Sequence, residues 1–356
     1  MVLENILKNF GLNPQYYHVQ AFGPGLINHT YKVSGKEEAY ILQQINTNVF
    51  KSPQDIASNL SSIQNYFAKH YPDYLFAGPL PSVSGSFLVE SAEGNYYRLF
   101  PFIKNSHTVN YVSNAKEAFE SANQFGRFTY LLNDFDAGSL KTTLNDFHNL
   151  PLRFEQFETA LQKANKDRLA LASAEINEVY EHRNILNNYK HLITNKEIPL
   201  RVIHHDTKIS NVLFDDRENG LCVIDLDTVM PGYFFSDVGD MMRTYLSAAN
   251  EEETNLSAIS IREEIFSAVC KGYLLEMERV LTAKEKQWFI YSGELMIYMQ
   301  AIRFLADYLN NDSYYGAKYD GHNLNRAKNQ LKLLNEYVTA KKKLTELLIA
   351  AQKEIS

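Results

Sequence analysis

Residues 202–215, VIHHDTKISNVLFD, set two adjacent histidines, an aspartate, a lysine and an asparagine between two apolar edges. Eleven residues past Phe214 comes Asp225, within the run VIDLD. Asp206, Asn211 and Asp225 together offer hard oxygen donors. Such groups suit Mg²⁺, which keeps several waters and takes one or two protein ligands plus substrate phosphates. Lys208 would be wasted beside a bare divalent cation, but it has a use if a phosphate is present.

Three chemistries compete for this run. An isolated His-x-Asp is ordinarily a hydrogen-bonded turn whose side chains satisfy loop backbone groups. Zinc is disfavoured, because adjacent histidines on a strand point to opposite faces and neither a His-x₃-His pair nor a cysteine supports them. Phosphoryl transfer is favoured by spacing. His204-x-Asp206-x-Lys208-x-x-Asn211, followed by Asp225, has the order of kinase-type catalytic loops: base, phosphate-binding lysine, metal asparagine, metal aspartate.

The elements that must hold these groups are legible in outline. LRVIHH and GLCVIDL are short apolar runs of the kind a strand pair makes, so the polar residues fall on a loop running from a strand end near His204 to a strand start near Val212. Upstream, residues 17–103 carry strand-like runs (YHVQAF, HTYKV, AYILQQI, SFLVES, NYYRLFPFI) broken by Gly, Pro and Ser. One helix interrupts them from Ser52, a candidate cap, through Pro53 at the first helical position, with Ile56, Leu60, Ile63 and Phe67 at helical spacing. Helical periodicity then dominates 113–133, 151–165, 173–195, 260–280, 284–310 and 323–354. The expected architecture is α+β with two lobes: a small β-rich lobe over 1–103 and a large, mainly helical one over 104–356.

Bulk properties remove several partners. The 356 residues and 45% hydrophobic content can build a substantial core. A net charge of −7, with no basic tract beyond KKK at 341–343, leaves no footprint for nucleic acid. Cys222 and Cys270 stand alone in apolar surroundings, which fits a reducing cytoplasm. No stretch approaches the 18 apolar residues of a membrane span, and the N-terminal MVLENILKNFGL lacks the features of an export signal.

HHDTKISNVLF with VIDLDTVMPGYFFSDVGDMMR resembles the motifs of the aminoglycoside phosphotransferase and choline kinase superfamily, whose fold is protein-kinase-like. GPGLINHTYKV, YILQQINTNVFKSP, YYRLFPFI, HHDTKISNVLFD and IRFLADYLNNDSYY together resemble the N-acetylhexosamine 1-kinase branch. That resemblance runs from about 23 to 315. It implies an ATP- and Mg²⁺-dependent kinase acting on the anomeric hydroxyl of N-acetylglucosamine or N-acetylgalactosamine. Asp206 would orient that hydroxyl and accept its proton, Lys208 would stabilise the transferred phosphoryl group, and Asn211 and Asp225 would hold Mg²⁺. His204 would brace the loop from behind, while Asp227 and Asp237 would anchor the following loop through backbone N–H groups.

The glycine turn FGPGLINHTYKV would let backbone N–H groups at Gly23 and Gly25 approach phosphates, with Asn28 and Thr30 as side-chain donors. Alone, a Gly-Pro-Gly segment between strands is usually only a turn. Backbone groups near Phe102 would meet the adenine, as the fold resemblance implies. One departure stands out: where related folds pair a third-strand lysine with a first-helix glutamate, AYILQQIN offers Gln43 and Gln44, and 53–69 contains Asp55 but no glutamate. Gln43 would then donate to a phosphate.

On the sugar side, Arg303 lies in an apolar helical run with Asp307 one turn on. The plain expectation is an intrahelical pair; the alternative is that Arg303 reaches sugar hydroxyls, with Tyr314 adding a ring face or hydroxyl. Arg243, three residues after Asp240, is a weaker candidate of the same kind. Other acceptors, of choline, homoserine or aminoglycoside type, would need free carboxylates such as those of the NEEE run at 250–253. A nucleotide-binding protein without turnover, and a scaffold without nucleotide, are the remaining rivals.

Overall fold

A computed structural model describes residues 2–23 and 27–355. After helix α1 (Val2–Asn9), strands β1 (His18–Ala21), β2 (His29–Ser34), β3 (Ala39–Gln44), β4 (Val89–Glu90) and β5 (Tyr96–Pro101) form an antiparallel sheet of order β1-β2-β3-β5-β4. Alternation along the strands divides it into two faces. Val33, Leu42, Tyr97 and Leu99 pack with Ile6 and Leu7 of α1 and Phe10 just after it into a small core of their own. The opposite face carries a polar row, because the register sets Thr30 against Gln43 and Gln43 against Arg98.

Helix α2 (Pro53–His70) begins at Pro53 as expected, but Ser52 makes no side-chain capping bond. Its apolar stripe Ile56, Leu60, Ile63 and Phe67 belongs to the large core of the helical lobe rather than to the small core behind the sheet. Phe67 lies 6.1 Å from Phe128, ring to ring, on α3 (Ala115–Leu131). The Asn59 side chain reinforces the contact: its amide donates to the carbonyls of Lys141 and Val229 and its oxygen accepts the Lys141 N–H.

The helical lobe continues through α4 (Leu150–Lys163), α5 (Lys166–Leu171), α6 (Ser173–Glu181) and α7 (Asn184–Thr194). The expected helix over 173–195 is thus two, broken at His182–Arg183. Four short strands follow, β6 (Arg201–Ile203), β7 (Val212–Phe214), β8 (Gly220–Val223) and β9 (Met230–Gly232). LRVIHH and GLCVIDL do not pair with each other: β6 pairs with β9, and β7 with β8. The lobe closes with α8 (Phe234–Tyr245), α9 (Glu263–Met277), α10 (Ala283–Gln287), α11 (Phe289–Leu309) and α12 (His322–Ile355). The expected helix over 284–310 divides at Trp288, and its start is fixed by a capping box of Thr282 with Glu285. Among the described residues, no helix is long and apolar enough to cross a membrane.

Candidate active site

The loop between β6 and β7 is held from α8, directly beneath it. Asp237 accepts the backbone N–H groups of His204 (2.9 Å) and His205 (2.7 Å), and Asp240 accepts that of Thr207 (2.9 Å). Spacing of i, i+3 puts both carboxylates on one side of the helix. The Thr207 hydroxyl donates to the Asp237 carbonyl, and the Tyr245 hydroxyl donates to the Thr207 carbonyl. Asp237 therefore anchors the loop before it in sequence rather than the one after. Burial raises its carboxyl to about 6 against the pull of His204 and the two N–H groups.

Both histidines are structural. His204 is fully buried, its ring 5.1 Å from that of Phe125 and its Nε2 2.9 Å from the Ile224 carbonyl. That contact ties the loop to the β8 end, as the bracing role requires. His205 has a φ of 66°, in the left-handed region, and its Nδ1 lies 3.1 Å from the Thr228 carbonyl. Burial, then the neighbouring His204, lowers its pKa to about 3, so the ring is neutral.

Asp206 points away from these supports, half-buried, with its Oδ2 3.2 Å from Lys208 Nζ. Burial works against the Lys208 ammonium, but Asp206 outweighs it and holds the lysine pKa above its ordinary value. Asn211 donates its amide to the Asp206 carbonyl (2.9 Å), which leaves the amide oxygen for a cation. Asp225 has φ 59° and ψ 58°, a left-handed conformation rare for a side-chain-bearing residue and concentrated at functional sites. Asp225 is exposed, so water moderates the upward shift that partial desolvation, then the charges of Asp227 and Asp206, give its carboxyl. Two oxygen donors beside an uncompensated carboxylate fit a cation that keeps most of its waters. Among the described residues, no cluster of three His, Cys, Asp or Glu offers a tighter cage.

Above the loop, the residues expected to touch a nucleotide are joined to one another. Gln43 donates to Thr30 Oγ1 (3.3 Å) and accepts from Arg98 Nε and Nη2 (3.1 and 2.8 Å). Arg98 also forms an ion pair with Asp227, both side chains buried. Asn28 donates to Asp227 Oδ2 (2.8 Å) and accepts the Asn46 N–H (3.0 Å), so both ends of its amide are engaged. Asp227 thus serves the sheet rather than the backbone of its own loop. Gly23 has φ 73° and open space where a Cβ would stand, whereas Gly25 lies outside the described residues. The Phe102 N–H is used in the sheet, bonded to the Ala39 carbonyl, and its ring sits 3.8 Å from Lys32 Nζ. Sequence reading missed Arg98, whose one signal is a charge in the middle of the apolar run YYRLFPFI.

On the other side of the loop, the expected Arg303–Asp307 pair does not form. Asp307 accepts the N–H groups of Tyr314 and Tyr315 (2.7 and 2.9 Å) and the Asn323 amide (3.1 Å). Those bonds shape the turn after α11. Arg303 donates to Gln300 (3.1 Å) and lies 6.0 and 5.5 Å from the ring centres of Phe147 and Tyr315. Phe147 in turn lies 6.5 Å from His205, which brings Arg303 to the wall beside the loop. Tyr314 is 75% exposed and stands at the rim. His148, half-buried 5.5 Å from His205, is driven well below its usual pKa by desolvation, then by His205, Arg303, Arg243 and Arg153. Arg243 is committed to Asp240 (2.9 Å) and Glu251 (3.0 Å).

Residues 18–263 match the phosphotransferase enzyme family, and the chain belongs to it. Solved structures of similar fold include amicoumacin kinase hAmiN in complex with AMP-PNP, Ca²⁺ and Ami, with a TM-score of 0.61 at 14% identity over 100% of this chain and 92% of that one. A microcompartment-associated aminopropanol kinase gives 0.57 at 16% identity, covering 98% of each chain. Choline kinase from Cryptosporidium parvum Iowa II gives 0.53 at 15% identity, covering 99% of this chain and 98% of that one. The protein is a phosphotransferase with a protein-kinase-like fold.

Proposed function

We propose that the protein transfers the γ-phosphoryl group of ATP to the anomeric hydroxyl of an N-acetylhexosamine, in a reducing cytoplasm, with lobes meeting near residues 103–104. The observation that carries the kinase reading is the Asp206 carboxylate beside Lys208, on a loop pinned by Asp237 and Asp240. Asp206 accepts the proton of the attacking hydroxyl, which becomes acidic as its oxygen bonds to phosphorus. Lys208 meets the charge on the transferred group, and its link to Asp206 keeps the carboxylate aimed. Asn211 and Asp225 would hold Mg²⁺, which would supply positive charge to offset that of the phosphates. Gly23 and Gly25 bring backbone N–H groups to the phosphates, Thr30 and Gln43 line the same face, and backbone groups near Phe102 meet the adenine.

The acceptor reading rests on the resemblance of the sequence to the hexosamine kinases, and charge supports it. Arg303 donates to a neutral partner and faces two rings, an arrangement suited to sugar oxygens, with Tyr314 at the rim. A cationic amine would need unpaired carboxylates. Glu251 is paired with Arg243 and Arg326, and Glu252 with Lys318, Arg326 and His322.

The test is ADP release from purified protein with Mg²⁺-ATP and N-acetylglucosamine, N-acetylgalactosamine, glucose, choline or an aminoglycoside. We expect turnover with the N-acetylhexosamines, loss of the sugar's reducing end, and a fall of about 10²–10⁴-fold in Asp206→Asn. Turnover with choline or the aminoglycoside alone would sink the sugar assignment. ATP binding without turnover on any acceptor would sink the enzyme assignment.

A further inference from the structure

The polar face of the sheet is joined to the loop after β8 through one carboxylate. Asp227 receives Arg98 from β5 and Asn28 from just before β2, and it stands two residues after Asp225. Arg98 is in turn oriented by Gln43 on β3, its cross-strand neighbour, and Gln43 by Thr30 on β2. Strands β2, β3 and β5 are thereby linked, through Arg98, to a residue of the helical lobe. The side chains of Arg98 and Asp227 are 3% and 2% exposed, so water does little to screen the pair. A salt bridge so enclosed is costly to leave half-made, which is the property a fixed joint needs.

We propose that Asp227, Arg98 and Asn28 form a positioning joint that sets the polar face of the β1–β5 sheet against the loop that carries Asp225. This rests on the reading of the cleft as a nucleotide site. None of the three touches the acceptor. Asp227 acts through Asn28, whose amide fixes the start of β2 and the Asn46 backbone, and through Arg98, which fixes the middle of β5 ahead of the hinge. The joint does the work of the lysine–glutamate pair that β3 and α2 lack. The cation has moved one strand over, from β3 to β5, and its acid partner comes from the loop of Asp225 instead of from α2. Neither Gln43 nor Asp55 has to supply a charge.

Coupling is the readout that separates a joint from three residues that merely stabilise the fold. Steady-state constants for Mg²⁺-ATP and for the best acceptor are measured for Asn28→Ala, Asp227→Asn and their double variant. Arg98→Met/Asp227→Leu serves as a second route, replacing the pair by apolar groups of similar length so that no buried charge is stranded. Thermal unfolding of each variant accompanies the kinetics. We expect KM for ATP to rise about tenfold or more in each single variant, with the acceptor KM unchanged. The double variant Asn28→Ala/Asp227→Asn should lose no more than Asp227→Asn alone, because both changes cut the same link. The apolar pair should fold and show the same ATP defect. Multiplying defects, or a lowered unfolding temperature with KM for ATP unchanged, would overturn the joint. Wild-type protein that neither binds nor turns over ATP would instead remove the nucleotide reading itself, so the two failures are distinct.

Discussion

At the residue scale, the 204–211 loop was readable because its chemistry is contiguous. Asp206, Lys208 and Asn211 lie within six residues, and the left-handed Asp225 follows at the end of a strand. What sequence does not carry is the set of distant partners: Asn28 meets Asp227 across 199 positions, and nothing local at either end announces it. The two histidines show how a polar pair can be wholly structural. His205 is buried and neutral, with a folded pKa of about 3 against about 6.5 for an unperturbed ring. A depressed folded pKa contributes stability that is complete above 6.5 and is lost as pH falls toward 3, at up to about 1.4 kcal/mol per pH unit. Asp237 runs the other way, since a carboxyl raised to about 6 favours the native state on protonation. The informative quantity is accordingly a difference. Chemical unfolding of wild type and His205→Asn between pH 7 and 4 should show the wild type's advantage shrinking, or reversing, as pH falls. An advantage constant with pH would mean that His205 is not held neutral.

At the element scale, helical periodicity located the long helices, but not their breaks or their neighbours. The run 284–310 divides at Trp288, where the short α10 is set by its own capping box and by Arg201, which reaches Glu285 through two bonds of 2.7 and 2.8 Å. Strand pairing failed for a related reason: three-residue strands such as β6 and β9 carry too few alternations to specify a partner. Close helix contacts are equally silent in sequence. Gly272 on α9 lies so near α3 that an added Cβ would stand 2.2 Å from the Phe119 carbonyl oxygen and 3.1 Å from the Asn123 N. Backbone atoms cannot swing aside as a side-chain tip can. Gly272→Ala should therefore lower stability by about 1–3 kcal/mol, even though alanine is the better helix former by about 1 kcal/mol. Differential scanning calorimetry would show it as a lowered midpoint; an unchanged or raised midpoint would mean that the helices separate freely.

At the scale of the whole molecule, the two-lobed outline was legible because the chain changes from strand-like to helical periodicity near residue 104. The distribution of the core was not. Helix α2 precedes that change in sequence, yet Ile56, Leu60, Ile63 and Phe67 lie in the large core, with Asn59 clasping the Lys141 and Val229 backbone. Amphipathicity says that a helix has a buried face and not which surface buries it. The small core behind the sheet has eight buried side chains, three of them from α1 and Phe10 just after it. Cut at 103, the N-terminal piece would expose the whole apolar stripe of α2, at a cost of about 1.5–3 kcal/mol for each large side chain. It would also leave Arg98 without its Asp227 partner. Residues 1–103 expressed alone should consequently be largely unfolded, with poorly dispersed amide resonances and no cooperative thermal transition. A dispersed spectrum with a sharp transition would show instead that the sheet and α1 suffice, and that α2 docks onto the helical lobe only after both have folded.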